Sequence, residues 1–213
     1  MPTIVDMTLK RRRPERFLVR LDSEEELILS PEIVLKHQLS PGRELSWDEL
    51  VPILQEDAIR RAKDQMLSFL GRRPHSRSEL VRKTLERGYS ADAIDAALAD
   101  LERVGLVDDD QYARLFAQNE LTLRPCGRRL LAEKLRQRGI AASLIDTVLD
   151  DVYARQSAEA LLRDQVERFL RKQRGKTRDR KFTEKLIRFL QGRGFEWEQI
   201  SWVLHDSGID LED

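Results

Sequence analysis

The sequence contains little of several residue types, and each shortage excludes a class of protein. Cys126 is the one cysteine in 213 residues, so no disulfide can form within the chain, which fits a reducing compartment. Ten glycines and seven prolines are too few for a fibrous chain or for a disordered chain rich in these residues. No run approaches the roughly 18 apolar residues of a membrane span, and the N-terminus lacks the apolar core of a signal peptide. We therefore expect a cytoplasmic protein with no membrane partner.

Charged residues are abundant, but neither sign is in excess. Lysine and arginine together number 38, aspartate and glutamate also number 38, and the formal net charge is zero. Because the bulk charge gives no attraction to nucleic acid or to membrane, any electrostatic function depends on how the charges are arranged. The charged share is 36%, the apolar share is 40%, and leucine, arginine, glutamate and alanine are frequent. This composition favours helices with charged outer faces.

The first 55 residues differ from the rest of the chain. Short runs of β-branched and apolar residues predict a two- or three-stranded meander, at residues 3–9, 16–21 and 26–29. Ser30 and Pro31 then open a short helix that runs to about Gln38, and Ser46 with Glu49 forms a capping box that begins another helix. Since so small a sheet is marginally stable alone, we expect this region to be stabilised by packing against the rest of the chain.

From residue 56 onward the chain repeats itself three times. Gly88, Gly139 and Gly194 lie 51 and then 55 residues apart. Each has an arginine one residue before it, a leucine eight before it, an isoleucine six after it and a leucine ten after it. An Asp-Gln-apolar motif precedes each glycine, beginning at Asp64, Asp110 and Asp164. So many positions held in register indicate three copies of one structural unit.

Each copy is predicted to be a three-helix module of roughly 45 residues. The glycine ends the second helix in the left-handed conformation, Ser76 with Glu79 begins that helix in the first copy, and Ser90 and Ser143 are candidate starts of the third helix. The predicted domains are 1–55, 56–107, 108–153 and 154–213. The fold class is mainly α, with three tandem helix-turn-helix-like repeats after a small strand-rich region.

Charge is segregated inside the modules. The 16 residues before each glycine hold six basic residues and at most two acidic ones, whereas residues 89–110 and 195–213 are strongly acidic. A basic second helix is typical of a helix that enters a DNA groove, or of a face that follows phosphates without reading bases; it is also typical of solvated, ion-paired helix faces. We take the basic residues as candidate contacts to a partner: Arg72, Arg73, Arg77, Arg82, Lys83, Arg87, Arg124, Arg128, Arg129, Lys134, Arg136, Arg138, Lys176, Arg178, Arg180, Lys181, Lys185 and Arg188.

Catalytic and metal-binding patterns are absent from the sequence. The three histidines, His37, His75 and His205, have no metal-ligand spacing and are interpreted as surface or capping residues. Cys126 has no recognisable base near it in the sequence, and the run 108–110 of three aspartates is interpreted as the N-cap of a helix. No glycine-rich phosphate loop is present. We therefore predict a protein that is not an enzyme and that uses no cofactor.

Three stretches resemble the RecX family, bacterial regulators of the recombinase RecA. They are GRRPHSRSEL at 71–80, GLVDDDQYA at 105–113 and EKLRQRGI at 133–140, and the resemblance covers about residues 56–206. It implies a non-enzymatic array of three-helix repeats that binds in the groove of the RecA–DNA filament. Such proteins mainly inhibit RecA, suppressing its ATP hydrolysis, strand exchange and SOS co-protease activity, and they also bind single- and double-stranded DNA. Thr84, where the other copies have leucine, and a basic insertion near 171–181 depart from the repeat.

The leading hypothesis is therefore a modulator of RecA filaments that places its basic flanks along a common surface. On this hypothesis, reversing Arg128, Arg129 and Arg136 to glutamate weakens filament binding without unfolding the protein. The alternative is a DNA-binding helix-turn-helix regulator that discriminates between base sequences. A third hypothesis is a protein scaffold with no nucleic-acid contact, whose binding to its partner would be insensitive to salt.

Overall fold

A computed structural model describes residues 1–11, 14–174 and 180–209 of the chain. The chain forms two compact units, Met1–Val107 and Asp108–Asp213. The first unit holds three strands, β1 (Ile4–Lys10), β2 (Arg16–Leu21) and β3 (Glu26–Leu29), and helices α1 (Pro31–Lys36), α2 (Trp47–Leu70), α3 (Arg77–Leu85) and α4 (Ala91–Arg103). The second holds α5 (Asp109–Leu123), α6 (Arg128–Arg136), α7 (Ala142–Arg155), α8 (Ala158–Lys172), α9 (Arg180–Gly192) and α10 (Trp197–Asp206).

The predicted N-terminal meander is confirmed with three strands. The strands form an antiparallel sheet in the order β1-β2-β3, with Leu18 of β2 opposite Thr8 of β1 and Ile28 of β3. The capping box that begins α2 is also confirmed: the Glu49 backbone N–H donates to the Ser46 hydroxyl, and the Ser46 N–H donates to the Glu49 carboxylate. Local signals of this kind are readable in a sequence because all their partners lie within a few residues.

Helix α2 belongs both to the N-terminal region and to the first three-helix module. Leu50 and Ile53, in its first half, pack in one core with the sheet and α1. Ala62, Met66 and Phe69, in its second half, pack with α3 and α4 in another core. The boundary predicted at residue 55 therefore falls within a continuous helix, which connects the core of the sheet to the core of the first three-helix module.

A buried carboxylate fixes α1 against α2. The side chain of Asp57 is on α2, and its Oδ1 accepts a hydrogen bond of 2.7 Å from the backbone N–H of Ser30, the N-cap of α1. Asp57 is only 3% exposed, and its other oxygen lies 3.9 Å from Arg61. The carboxylate thus satisfies a buried backbone donor that would otherwise have no partner.

Replacing Asp57 by alanine is expected to lower the free energy of unfolding by about 2 kcal/mol, because it leaves the Ser30 N–H buried and unpaired. Urea unfolding followed by circular dichroism measures the change. Glu32→Ala is the control, since Glu32 is exposed and makes an ion pair with Arg60, and it should shift stability by less than about 0.5 kcal/mol. An equal loss of unfolding free energy in the two variants would show that the buried hydrogen bond stabilises the protein no more than the exposed ion pair does.

The repeated positions lie where the sequence analysis predicted. The leucine before each glycine, and the isoleucine and leucine after it, are at most 3% exposed in all three modules. Gly88, Gly139 and Gly194 have φ angles of 84°, 74° and 79°. In each case the residue after the glycine bonds back to the helix, as the Tyr89 N–H does to the Thr84 carbonyl. This pattern is the Schellman motif, so the predicted glycine C-caps are confirmed.

The start of the third helix is set by the glycine turn. Its N-cap is the second residue after the glycine in every module: Ser90, Ala141 and Glu196. The prediction of Ser90 is confirmed, because its hydroxyl accepts a bond from the Ala93 N–H. The prediction of Ser143 is wrong, because the turn after Gly139 has the same length as the others and starts α7 at Ala142. Backbone geometry outweighs the capping preference of a nearby serine.

The second and third modules share one hydrophobic core within the second unit. Two glycines permit their close approach: the Gly127 N–H, at the N-cap of α6, donates to the Arg193 carbonyl at 2.8 Å. A Cβ at Gly127 would lie 2.1 Å from the carbonyl oxygen of Gly194, and one at Gly194 would lie 2.4 Å from the Leu130 nitrogen. The sequence predicted three repeats but gave no indication that the last two merge their cores.

None of the helices in the described parts of the chain combines the length and the apolarity needed to cross a lipid bilayer.

Candidate basic surface of the three-helix modules

The basic residues predicted as contacts fall into distinct structural groups. Lys176 and Arg178 lie outside the described residues. Seven of the others make ion pairs with carboxylates: Arg73, Arg77, Arg82, Arg128, Lys134, Arg136 and Arg180. Three are held by other contacts within the chain, Lys83, Arg129 and Arg138. The remaining six are discussed below as the unpaired set.

Two arginines join the basic second helix of a module to its acidic third helix. Arg77 and Arg128 each stand eleven residues before their glycine, at the first position of the second helix. Arg77 lies 3.0 Å from Glu102 and 3.3 Å from Asp95 on α4, and Arg128 lies 2.7 Å from Asp150 on α7. In the first and second modules the basic second helix and the acidic third helix therefore attract each other. The sequence left open whether these basic residues contact a partner or form ion pairs within the chain. Arg77 and Arg128 form ion pairs.

Other candidates pair with a carboxylate on their own helix, on the preceding helix or, for Arg73, on the following helix. Arg82 lies 3.0 Å from Glu86, and Arg180 lies 3.2 Å from Glu184, each one turn away. Arg136 pairs with Glu133 in the same way, Arg73 pairs with Glu79, and Lys134 pairs with Glu120 of α5. The pairs of Arg82, Arg136 and Arg180 are exposed. Such pairs stabilise a protein by less than about 1 kcal/mol, so a partner could compete for them.

Three candidates contact uncharged groups. The guanidinium of Arg129 donates to the Gln191 carbonyl at 3.0 Å and so links the second module to the third. Arg138 lies 3.8 Å from the centre of the Phe116 ring. Lys83 lies 5.3 Å from the centre of the Phe69 ring and 2.9 Å from Nε2 of His75. Arg193, one residue before its glycine like Arg138, similarly lies over Phe189; the sequence repeat marks it, although it was not among the candidates.

The unpaired set consists of exposed cations that make no ion pair or side-chain hydrogen bond within residues 1–11, 14–174 and 180–209: Arg72, Arg87, Arg124, Lys181, Lys185 and Arg188. Each module contributes at least one of them. Lys181, Lys185 and Arg188 lie on one face of α9, because their spacing is four and then three residues. The buried residues Phe182 and Leu186 occupy a different face of the same helix. An anionic partner can bind these side chains without breaking an ion pair or side-chain hydrogen bond in the described part of the chain.

The sequence predicted a surface or capping role for His75, and the structure excludes the surface position. Its side chain is buried, with 4% exposure, directly before the N-cap of α3. Nδ1 lies 2.9 Å from the Arg73 carbonyl, and Nε2 lies 2.9 Å from the Lys83 ammonium. A neutral ring satisfies both contacts, since Nδ1–H donates to the carbonyl and Nε2 accepts from the lysine. Burial, together with the nearby Arg73 and Lys83 charges, lowers the pKa of His75.

The lowered pKa of His75 predicts that acid destabilises the first unit. The unfolded chain takes up a proton near pH 6.5, whereas the folded chain resists it, so stability is lost as pH falls below about 6.5. Urea unfolding at about pH 7.5 and 5.5 measures the loss. His75→Gln keeps a polar side chain but cannot titrate, so its stability should change less between the two values. An equal pH dependence in both proteins would contradict the assignment.

The other chemically reactive candidates have structural positions. Cys126 is a buried free thiol, and burial raises its pKa, which makes it a poor nucleophile. The predicted N-cap at the aspartate run is confirmed, since the Asp108 carboxylate accepts a 3.0 Å bond from the Gln111 N–H. His37 lies 2.8 Å from Glu56. No cluster of three or more His, Cys, Asp or Glu side chains suited to a metal ion occurs in the described part of the chain.

Comparison with protein families matches all three modules. Residues 62–101 match the first three-helix domain of RecX, residues 108–149 match the second, and residues 157–204 match the third. Regulatory protein RecX of Geobacillus kaustophilus is 30% identical over 216 residues, which covers 100% of this chain and 80% of that protein. Regulatory protein RecX of Lactobacillus johnsonii is 29% identical over 212 residues, covering 100% of this chain and 76% of the relative.

Solved structures share the fold. A crystal structure of regulatory protein RecX superposes with a TM-score of 0.71 at 22% identity, covering 95% of this chain and 98% of that one. RecX from Lactobacillus salivarius superposes with a TM-score of 0.64 at 17% identity, covering 73% of this chain and 99% of that one. At these identities the likeness establishes the architecture of the modules and leaves their contacts to be argued from this chain's own residues.

Proposed function

The chain belongs to the RecX family of regulatory proteins, and on that premise we propose that it binds RecA and the RecA–DNA filament. It acts as a regulator that catalyses no reaction itself, and it mainly inhibits the recombinase, ATPase and SOS co-protease activities of RecA. The observation that supports this most directly is the unpaired set, which gives every module at least one exposed cation with no partner among the described residues. The free, buried thiol of Cys126 supports a cytoplasmic location.

The position of these cations suits a nucleoprotein partner. A chain of zero net charge has no general attraction to DNA, so binding depends on local groups that meet phosphates or carboxylates. Cations already paired inside a module would have to exchange one anion for another, whereas the unpaired set gains a partner. Each phosphate that a cation neutralises also releases condensed counterions, which makes binding weaken as salt rises.

The experiment that tests this proposal is a RecA ATPase assay on single-stranded DNA with and without the protein. We expect hydrolysis to fall as the protein is added, and the inhibition to weaken at higher salt because charge pairs contribute to it. Hydrolysis that stays at the uninhibited rate at every protein concentration would contradict the proposal. Inhibition that is insensitive to salt would favour the scaffold hypothesis, in which nucleic acid is not contacted.

The alternative, a DNA-binding helix-turn-helix regulator, has less support. In such proteins the N-terminal residues of the recognition helix contact base edges. Here the first arginines of α3 and α6, Arg77 and Arg128, are ion-paired with the third helix of their module. Duplexes of scrambled sequence bound with equal affinity would count against the alternative, and strong preference for one sequence would support it.

A further inference from the structure

The first module contains a basic cavity that the repeat does not account for. It has a volume of about 370 Å³ and lies where the end of α2 meets α3. Arg72, Arg73, Lys83 and Arg87 line it, and Phe69 and His75 lie beside Lys83. Four cationic side chains around one small cavity repel one another, and an anion bound among them would reduce this repulsion.

The carboxylates near this cavity neutralise only part of its charge. Glu86 is its one acidic lining residue, and it is engaged with Arg82, which lies outside the lining. Arg73 makes two contacts of 3.1 and 3.3 Å with Glu79. Lys83, Arg72 and Arg87 have no carboxylate partner within the residues that the structure describes. Three cations therefore face the cavity without compensation.

The second module shows what the first one lacks. Lys134 stands five residues before Gly139, as Lys83 stands five before Gly88. Lys134 forms an ion pair with Glu120 of α5, so its charge is satisfied inside the module. Lys83 instead contacts two uncharged groups, the Phe69 ring and Nε2 of His75. At the same place in the repeat, the first module leaves open the anion position that the second module fills with its own carboxylate.

His75 and Phe69 hold the Lys83 ammonium in place without neutralising it. The imidazole is buried and fixed by its bond to the Arg73 carbonyl, so the lysine nitrogen has a defined position 2.9 Å from Nε2. The ring of Phe69 adds a favourable contact with the cation. A lysine held in this way loses less conformational entropy when it binds an anion than a free side chain does.

We propose that this cavity binds a phosphate group. A phosphate offers several oxygens to a lysine and two arginines at once, and guanidinium groups match its geometry. The group comes either from the phosphodiester backbone of a nucleic acid or from a free phosphate compound. The inference rests on the proposed function only in so far as filament DNA supplies the phosphate, and it is therefore tested without RecA.

The experiment titrates the full-length protein with inorganic pyrophosphate, and separately with an oligothymidylate that has no terminal phosphate, and follows amide and imidazole NMR shifts over residues 69–88. Lys83→Gln is expected to weaken pyrophosphate binding by about tenfold, and Arg87→Gln by about fivefold. The matched control is Lys134→Gln, which removes the same residue from the second module and should change the affinity by less than about twofold. Circular dichroism confirms that each variant folds. If Lys83→Gln does not fold, Arg87→Gln tests the site instead, because Arg87 is exposed.

Each result either supports the site or overturns it. Shifts at the cavity with the oligonucleotide assign it to backbone phosphates, and shifts with pyrophosphate alone assign it to a free phosphate compound. No saturable shift with either probe overturns the proposal, as does an unchanged affinity in the folded Lys83→Gln or Arg87→Gln protein. If the protein binds pyrophosphate at this cavity but does not inhibit RecA, the phosphate site is supported and the proposed regulatory function is wrong.

Discussion

Replacing Gly127 by alanine is expected to lower the free energy of unfolding of the second unit by about 3 kcal/mol or more. The added methyl group would lie 2.1 Å from the Gly194 carbonyl oxygen and 2.6 Å from the Phe195 nitrogen. Both are backbone atoms, so no side chain can rotate away to make room. The second and third modules would have to separate, which strains the hydrogen bond between the Gly127 N–H and the Arg193 carbonyl and loosens their shared core.

Gly192→Ala is the matched control, two residues from the close contact. A Cβ at Gly192 meets nothing within 4 Å, and the residue lies at the end of α9. Alanine there should stabilise the helix by up to about 1 kcal/mol. Urea unfolding followed by tryptophan fluorescence in a Trp47→Phe background reports the second unit, because Trp197 and Trp202 both lie in it. A Gly127→Ala protein with the parent's unfolding midpoint would contradict the close packing of the two modules.

Reversing one unpaired arginine in each module, Arg72, Arg124 and Arg188, to glutamate is expected to raise the protein concentration that halves RecA ATPase activity by at least about tenfold. The three side chains are exposed and make no ion pair in the described residues, so the loss reflects a missing partner contact. The unfolding free energy should change by less than about 0.5 kcal/mol at each position. If the lost contacts are to phosphates, the salt dependence of binding should also become shallower, by a slope of about 2.

The control for this variant reverses three paired arginines, Arg82, Arg136 and Arg180, again one in each module. It changes the net charge by the same amount, so it separates the position of the charge from its total. We expect its inhibitory concentration to stay within about threefold of the parent. Equal losses in both variants would indicate that overall charge, rather than the unpaired set, governs binding.

Reversing residues of the unpaired set is a better test of binding than the variant of Arg128, Arg129 and Arg136 that the sequence alone suggested. Arg128 holds α6 to α7 through Asp150, and Arg129 donates to the Gln191 carbonyl of the third module. Reversing these two residues disturbs packing as well as any contact with a partner. Arg72, Arg124 and Arg188 leave the internal contacts of the described chain intact and therefore isolate binding.

The features that were predictable from the sequence are those with local causes. The capping box of Ser76 and Glu79, the left-handed glycines and the buried leucine of each second helix depend on neighbours within one or two turns. The strands and the three modules follow from periodicity in the same way. RecX membership was evident from three motifs in the correct order, and it is confirmed.

The features that were missed depend on tertiary contacts. A row of arginines does not reveal which of them meet a carboxylate on another helix, as Arg77 does on α4 and Arg72 does not. The burial of His75 follows from its place between α2 and α3, which its sequence neighbours do not indicate. Likewise, the sequence around Gly127 indicates only a loop glycine, because the close approach of the Gly194 backbone is a tertiary contact.

The most direct test of the account is site-specific cross-linking to RecA filaments on single-stranded DNA. A photoreactive residue replaces Arg72, Arg124 or Arg188 in turn, and, as the comparison, an exposed acidic residue on the third helix of each module: Asp92, Asp146 or Glu198. We predict cross-links to RecA or DNA from the three arginine positions and few from the acidic positions. Cross-links that arise mainly from the acidic positions, or equally from both sets, would contradict the claim that the basic flanks of the modules form the surface that binds the filament.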